Sequence, residues 1–254
     1  MQIRWSVEIQ KTNLEPRNLK DLLDGLGFEL IDGIEYPAFT SAEINNCADT
    51  NEVFETAKHL RDTFTGPANI DSTFQLGAVI DYSTDHPKRH HFIELQTGAL
   101  ALSGGTATIH ISPPKNLSAE ELEKWEEKQA EKEYQTKLEN QRSKLEPAFR
   151  SQRATKVLEL LANENPTGEI LYKIYELAEG KQSNRRAFHA QFGITEDQFD
   201  RFSDAVHNPR TTGDWARHAN DRPQNKNPMT KREAENFIRQ ITGEWLKHVR
   251  TQKE

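Results

Sequence analysis

Residues 117–146, LSAEELEKWEEKQAEKEYQTKLENQRSKLE, divide the chain. Ser118 and Glu121 have the spacing of a capping box, in which hydroxyl and carboxylate each satisfy a backbone N–H at a helix start. The helix that follows is highly charged, with sparse apolar positions at Leu122, Trp125, Ala130, Tyr134, Leu138 and Leu145. Positions 134, 138, 141/142 and 145 approximate a heptad, but Glu131 to Glu133 interrupts the stripe. The pattern predicts a solvent-exposed connector helix, with self-association through it as the alternative. Strand and helix patterns alternate before this stretch, and only helical patterns follow it. The expected class is α+β: an acidic α+β domain at 1–116, the connector at 117–146, and an all-α domain at 147–254 carrying a basic loop at 207–232.

In the first part, Ile3, Trp5, Val7 and Ile9 alternate with Arg4, Ser6, Glu8 and Gln10, as a half-buried strand requires. Pro16 opens a helix striped by Leu19, Leu22, Leu23 and Leu26, and Gly27 closes it. A short strand spans 28–31. A helix capped by Thr50 or Asn51 then runs to Phe64, with Val53, Phe54, Ala57 and Leu60 inward. Strands are expected at 74–82 and 91–96, followed by a hairpin across Gly104-Gly105. This order predicts two helices packed on a mostly antiparallel sheet. The paired glycines lead into a strand and not a helix N-terminus, so they lack the geometry of a phosphate loop.

The second part predicts helices around Val157 to Leu161 and Ile170 to Leu177, then at 185–192, 195–206 and 231–247. The helix, Gly193 turn, helix rhythm of 185–202 has the outline of a helix-turn-helix. Its second helix carries Glu196, Asp197, Asp200 and Asp204 against Arg201, which phosphates would repel, so ordinary helical packing is expected.

The chain has a net charge of −7, an apolar fraction of 34% and 29% charged residues, as expected of a soluble protein. The charge is uneven: residues 1–116 carry 9 basic against 16 acidic side chains, 117–180 carry 10 against 14, and 181–254 carry 14 against 10. An anionic partner should therefore meet the C-terminal region. No apolar run reaches the roughly 18 residues of a membrane span, and residues 1–6 enter a strand pattern instead of an apolar secretory segment. A cytoplasmic location without membrane contact is expected. Cys47 is the single cysteine, which excludes an internal disulfide and a cysteine-rich zinc site.

His86, His90 and His91 gather near Glu94 and His110, but a metal needs three convergent ligands, and a solvated polar turn is expected here. The densest positive segment is HNPRTTGDWARHANDRPQNKNPMTKRE, residues 207–233. It has no Leu, Ile or Val, and its Asn-Pro, Thr-Gly and Arg-Pro pairs read as a long loop. Structureless loops beyond about 12–15 residues are uncommon unless functional or disordered. Trp215 and Met229 are expected to pin this one to the helices, leaving Arg210, Arg217, His218 and Arg222 to contact phosphate or carboxylate.

Arg201 and His207, five residues between them, resemble the arginine, four to six residues, histidine motif of HEPN ribonucleases. The resemblance covers this pair. It implies an arginine that holds phosphate and a histidine that moves a proton without a metal. The expected function is recognition of an anionic protein or nucleic-acid partner, or of a phosphorylated ligand, with no cofactor. The alternative is a metal-independent ribonuclease using Arg201 and His207.

Overall fold

The computed structural model describes residues 3–92, 118–218 and 227–252. Strand β1 (Trp5–Lys11) is the middle of a five-stranded sheet of order β2-β3-β1-β4-β5, with β2 (Glu29–Asp32), β3 (Pro37–Thr40), β4 (Gln75–Asp81) and β5 (Lys88–His90). Every neighbouring pair is antiparallel. Helices α1 (Pro16–Gly25) and α3 (Thr50–Thr65) supply the expected leucine and phenylalanine stripes, with Leu22, Leu23, Leu60 and Phe64 fully buried. The class is α+β, with an antiparallel sheet and its helices first and a helical region after.

The sheet departs from expectation in three places. Alternation in β1 predicts one wet face, yet Ser6 and Glu8 are as buried as Trp5, Val7 and Ile9. Glu8 tolerates this because its carboxylate accepts from the Glu35 N–H at 2.9 Å and from Arg89 Nη2 at 2.6 Å. The interval 33–49 also holds β3 and a five-residue helix, α2 (Ala42–Asn46), whose start is capped by the Ser41 hydroxyl. Finally, β5 ends at His90, where a strand was expected to begin at 91. Phe92 leaves the ladder to stack on Phe54 of α3, with centroids 4.2 Å apart. The expected strand at 93–96 and the glycine hairpin lie outside the described residues.

The chain divides into two compact units, Met1–Thr65 with Ile70–Arg142 and Gly66–Asn69 with Ser143–Glu254. The charged helix α4 (Ala119–Arg150) contributes to both. Ser118 and Glu121 form its capping box. Its middle docks on α1: the Tyr134 hydroxyl donates to Asp21 at 2.5 Å, Arg17 pairs with Glu131 at 2.8 Å, and Leu138 is buried. Pro147 interrupts the helical hydrogen-bond ladder within the second unit's share.

The second unit is built from the end of α4, α5 (Gln152–Leu161), α6 (Gly168–Glu179), α7 (Arg185–Phe192), α8 (Glu196–His207), the one-turn helix α9 (Pro209–Thr212) and α10 (Lys231–Thr251). Its core gathers Val157, Ile174, Phe202, Val206, Ile238 and Trp245 around Tyr175. Gly193, at φ +64°, makes the left-handed turn that ends α7, and a Thr195/Gln198 capping box opens α8. Among the described residues no helix is long and apolar enough to cross a membrane.

Candidate functional site

The expected long loop is folded over its first half. Asp204, in the last turn of α8, accepts from Asn208 Nδ2 at 2.9 Å and from the Thr211 hydroxyl at 2.6 Å. Asn208 caps α9 by accepting from the Arg210 N–H at 3.1 Å, and Thr212 donates to the Ala205 carbonyl at 2.8 Å. Gly213, at φ +64°, then turns the chain into a 3-10 turn, Gly213–Trp215. The Arg217 N–H closes the structure on the Val206 carbonyl at 2.7 Å. Polar side chains bonding to nearby backbone here do what aliphatic residues do in a core.

Trp215 pins the segment as expected, but by a hydrogen bond as well as packing. Its indole Nε1 donates to the Pro166 carbonyl at 2.7 Å, just before α6. At the first residue of α6, a Cβ on Gly168 would lie 2.7 Å from the Val206 carbonyl oxygen and 2.9 Å from that of Trp215. Glycine permits this close approach, which sets 213–218 against the N-terminal turn of α6.

One turn into α6, Tyr172 collects the candidate residues. Its ring meets His207 edge-on at 4.2 Å, and the Arg217 guanidinium stands 5.1 Å above it. His218 stacks on His207 at 4.9 Å and 21°. Lys231, the first residue of α10, approaches the Trp215 ring at 6.0 Å. Arg217 is exposed, His218, Trp215 and Tyr172 are half-buried, and His207 is buried. His207, Arg217 and His218 are thus brought together. Arg210 stands exposed on α9, and Arg222 lies outside the described residues.

Arg201 is used differently. Its Nε donates to the Asn227 carbonyl at 2.7 Å, and its own carbonyl accepts from the Met229 N–H at 3.3 Å. It clamps the returning chain, with Met229 buried, onto α8. Six residues apart on one helix, Arg201 and His207 lie about 120° apart around its axis.

A second cluster is buried between α6 and α7. Tyr175 Oη lies 2.8 Å from His189 Nε2 and 3.2 Å from Glu179, whose carboxylate pairs with Arg185 at 2.6 Å. Burial, joined by the nearby Arg185 charge, holds His189 below its ordinary pKa, and burial beside Glu179 pushes the Tyr175 phenol up. These groups satisfy one another. A partly open cavity lined by Leu160, Leu161, Pro166, Leu171 and Ile174 has a volume of about 10 Å³, room for about one water molecule and not for a small-molecule ligand.

In the histidine turn, His86 and His91 are exposed and His90 pairs in register with Val79; Glu94 and His110 lie outside the described residues. Among the described residues no three His, Cys, Asp or Glu side chains gather as a metal would need. Cys47 is buried, and burial raises its thiol pKa, the opposite of what a nucleophile needs.

Sequence reasoning missed Tyr172, hidden in an ordinary helical stripe. It also missed the role of Asp204, although Asp204 and Asn208-Pro209 carry a signature of helix capping with proline at the first helical position. Comparison of the chain with protein-family models, with curated proteins and with solved structures yields no match in any of the three.

Proposed function

We propose that this is a binding protein that recognises an anionic partner or phosphorylated ligand through the folded segment 204–218, without catalysis. The observation that carries the reading is the placement of Arg217 and His218, held by backbone and ring contacts beside Tyr172 at the N-terminal turn of α6. Preorganised side chains lose less conformational entropy on binding, and a helix N-terminus adds a favourable partial charge for an anion. The net positive charge of residues 181–254 supports the same surface. We place the protein in the cytoplasm, where Cys47 stays reduced without a partner.

The test is a titration of the full chain with inorganic tripolyphosphate and with a multiply phosphorylated peptide, at low and high salt. Replacing Arg217 and His218 together by alanine should weaken binding about 10-fold to 100-fold at low salt, as expected for losing charge-assisted hydrogen bonds. The difference should shrink at high salt. Equal binding by the double variant and the wild type would refute the reading.

A further inference from the structure

We propose that the partner read by this surface is a single-stranded nucleic acid, whose bases stack on the planar side chains around Arg217 while its phosphates meet the positive charge. This rests on the anion-recognition reading above and narrows it. Tyr172, His207, Arg217 and His218 place four planar side chains together, and the Trp215 indole is held on the Pro166 carbonyl just before the same helix. One side of the His218 ring is taken by His207, and Arg217 covers Tyr172. Arg217 itself is exposed and His218 half-exposed, so each offers a further planar surface to a ligand.

The local charge balance decides between ligand classes. Arg217 and Lys231 supply the positive side, but Asp214 and Glu169 are exposed next to Trp215 and Gly168. Asp204 is occupied by Asn208 and Thr211. Coulomb attraction on so mixed a surface is modest and screened by salt. A ligand bound by charge alone, such as a phosphopeptide, would want arginines converging on one phosphate. A single strand adds base stacking on aromatic and guanidinium planes, a contribution that salt does not screen. In a duplex the bases are already stacked on each other and cannot use the surface.

The experiment measures binding of the full chain to an oligouridylate and an oligothymidylate of about eight nucleotides, within the roughly 4–16 that a small binding fold covers. An RNA duplex, a phosphopeptide of matched charge and inorganic tripolyphosphate complete the panel. Arg217→Lys is the diagnostic variant, because it keeps the charge and loses the planar group at an exposed site that need not affect folding. The expected result is tightest binding to the single strands, falling about 5-fold to 100-fold in Arg217→Lys, while tripolyphosphate binding is unchanged. Preference for RNA or for DNA identifies the natural strand and supports the proposal in either case. If the duplex, the phosphopeptide or tripolyphosphate binds as tightly as the single strands, or if Arg217→Lys binds the single strands like the wild type, the stacking proposal is overturned and anion recognition stands. If no probe binds, both fall.

Discussion

His189 shows at the scale of one residue how a buried group makes stability depend on pH. Its Nε2 meets the Tyr175 hydroxyl, Arg185 and Glu179 lie in the same cluster, and Glu196 at the start of α8 also acts on it. Burial favours the neutral ring, so the folded pKa lies below the ordinary 6.5. The unfolded chain then binds the proton more readily. Stability is complete above pH 6.5 and declines as pH falls toward the lowered folded value. Glu8 acts in the same direction at lower pH. Burial pushes its carboxyl up, but the Glu35 N–H and Arg89 together hold it below the ordinary 4.5. Thermal unfolding at about pH 7.5 and about pH 5.5 tests the histidine, because in the unfolded chain it takes up its proton in that interval. His189→Gln keeps a donor for Tyr175 without a titrating ring, and it should lose less melting temperature between the two pH values than the wild type. Equal losses would assign the acid sensitivity elsewhere.

At the scale of elements, the N-terminus of α6 holds the candidate surface in place, and Gly168 is where this can be broken. On helix propensity alone, alanine there would gain up to about 1 kcal/mol. Here its Cβ would sit 2.7 Å from the Val206 carbonyl oxygen, which is backbone and cannot swing aside. Overpacking of this kind costs roughly 1–3 kcal/mol, so the clash wins. Gly168→Ala should lower the melting temperature and weaken anion binding although it removes no ligand-contacting group. Unchanged stability and binding would show that the approach of 213–218 to α6 does not shape the surface. Elements with long periodic stripes, such as α1, α3, α6 and α10, were legible in the sequence. The ones missed are short: β3 has four residues and begins with Pro37, α2 has five, and α9 has four. None spans enough turns or alternations to show a period. Residues 207–217 read as loop because they hold no Leu, Ile or Val, while their order comes from Asp204, at the end of α8, and from Asn208, Thr211 and Thr212, bonding to one another and to backbone. Of the candidate residues, Arg217, His218 and Trp215 were legible from charge density and the cost of leaving a tryptophan in water. Tyr172 was not, because only the fold brings position 172 to 207 and 217.

At the scale of the whole molecule, charge and fold run in parallel. The sheet-bearing residues belong to the acidic stretch of the chain, and the cationic side chains of the proposed surface, Arg217 and Lys231, belong to residues 181–254, its net-basic stretch. An anion should therefore be repelled by the first unit and held by the second, and the location of binding is the central claim. Amide hydrogen exchange of the full chain, with and without saturating oligouridylate, tests it most directly. Exchange should slow at 204–217 and in the first turns of α6, with the sheet strands unchanged. Protection confined to the sheet strands, with exchange at 204–217 and 168–172 unaltered by bound ligand, would contradict the account.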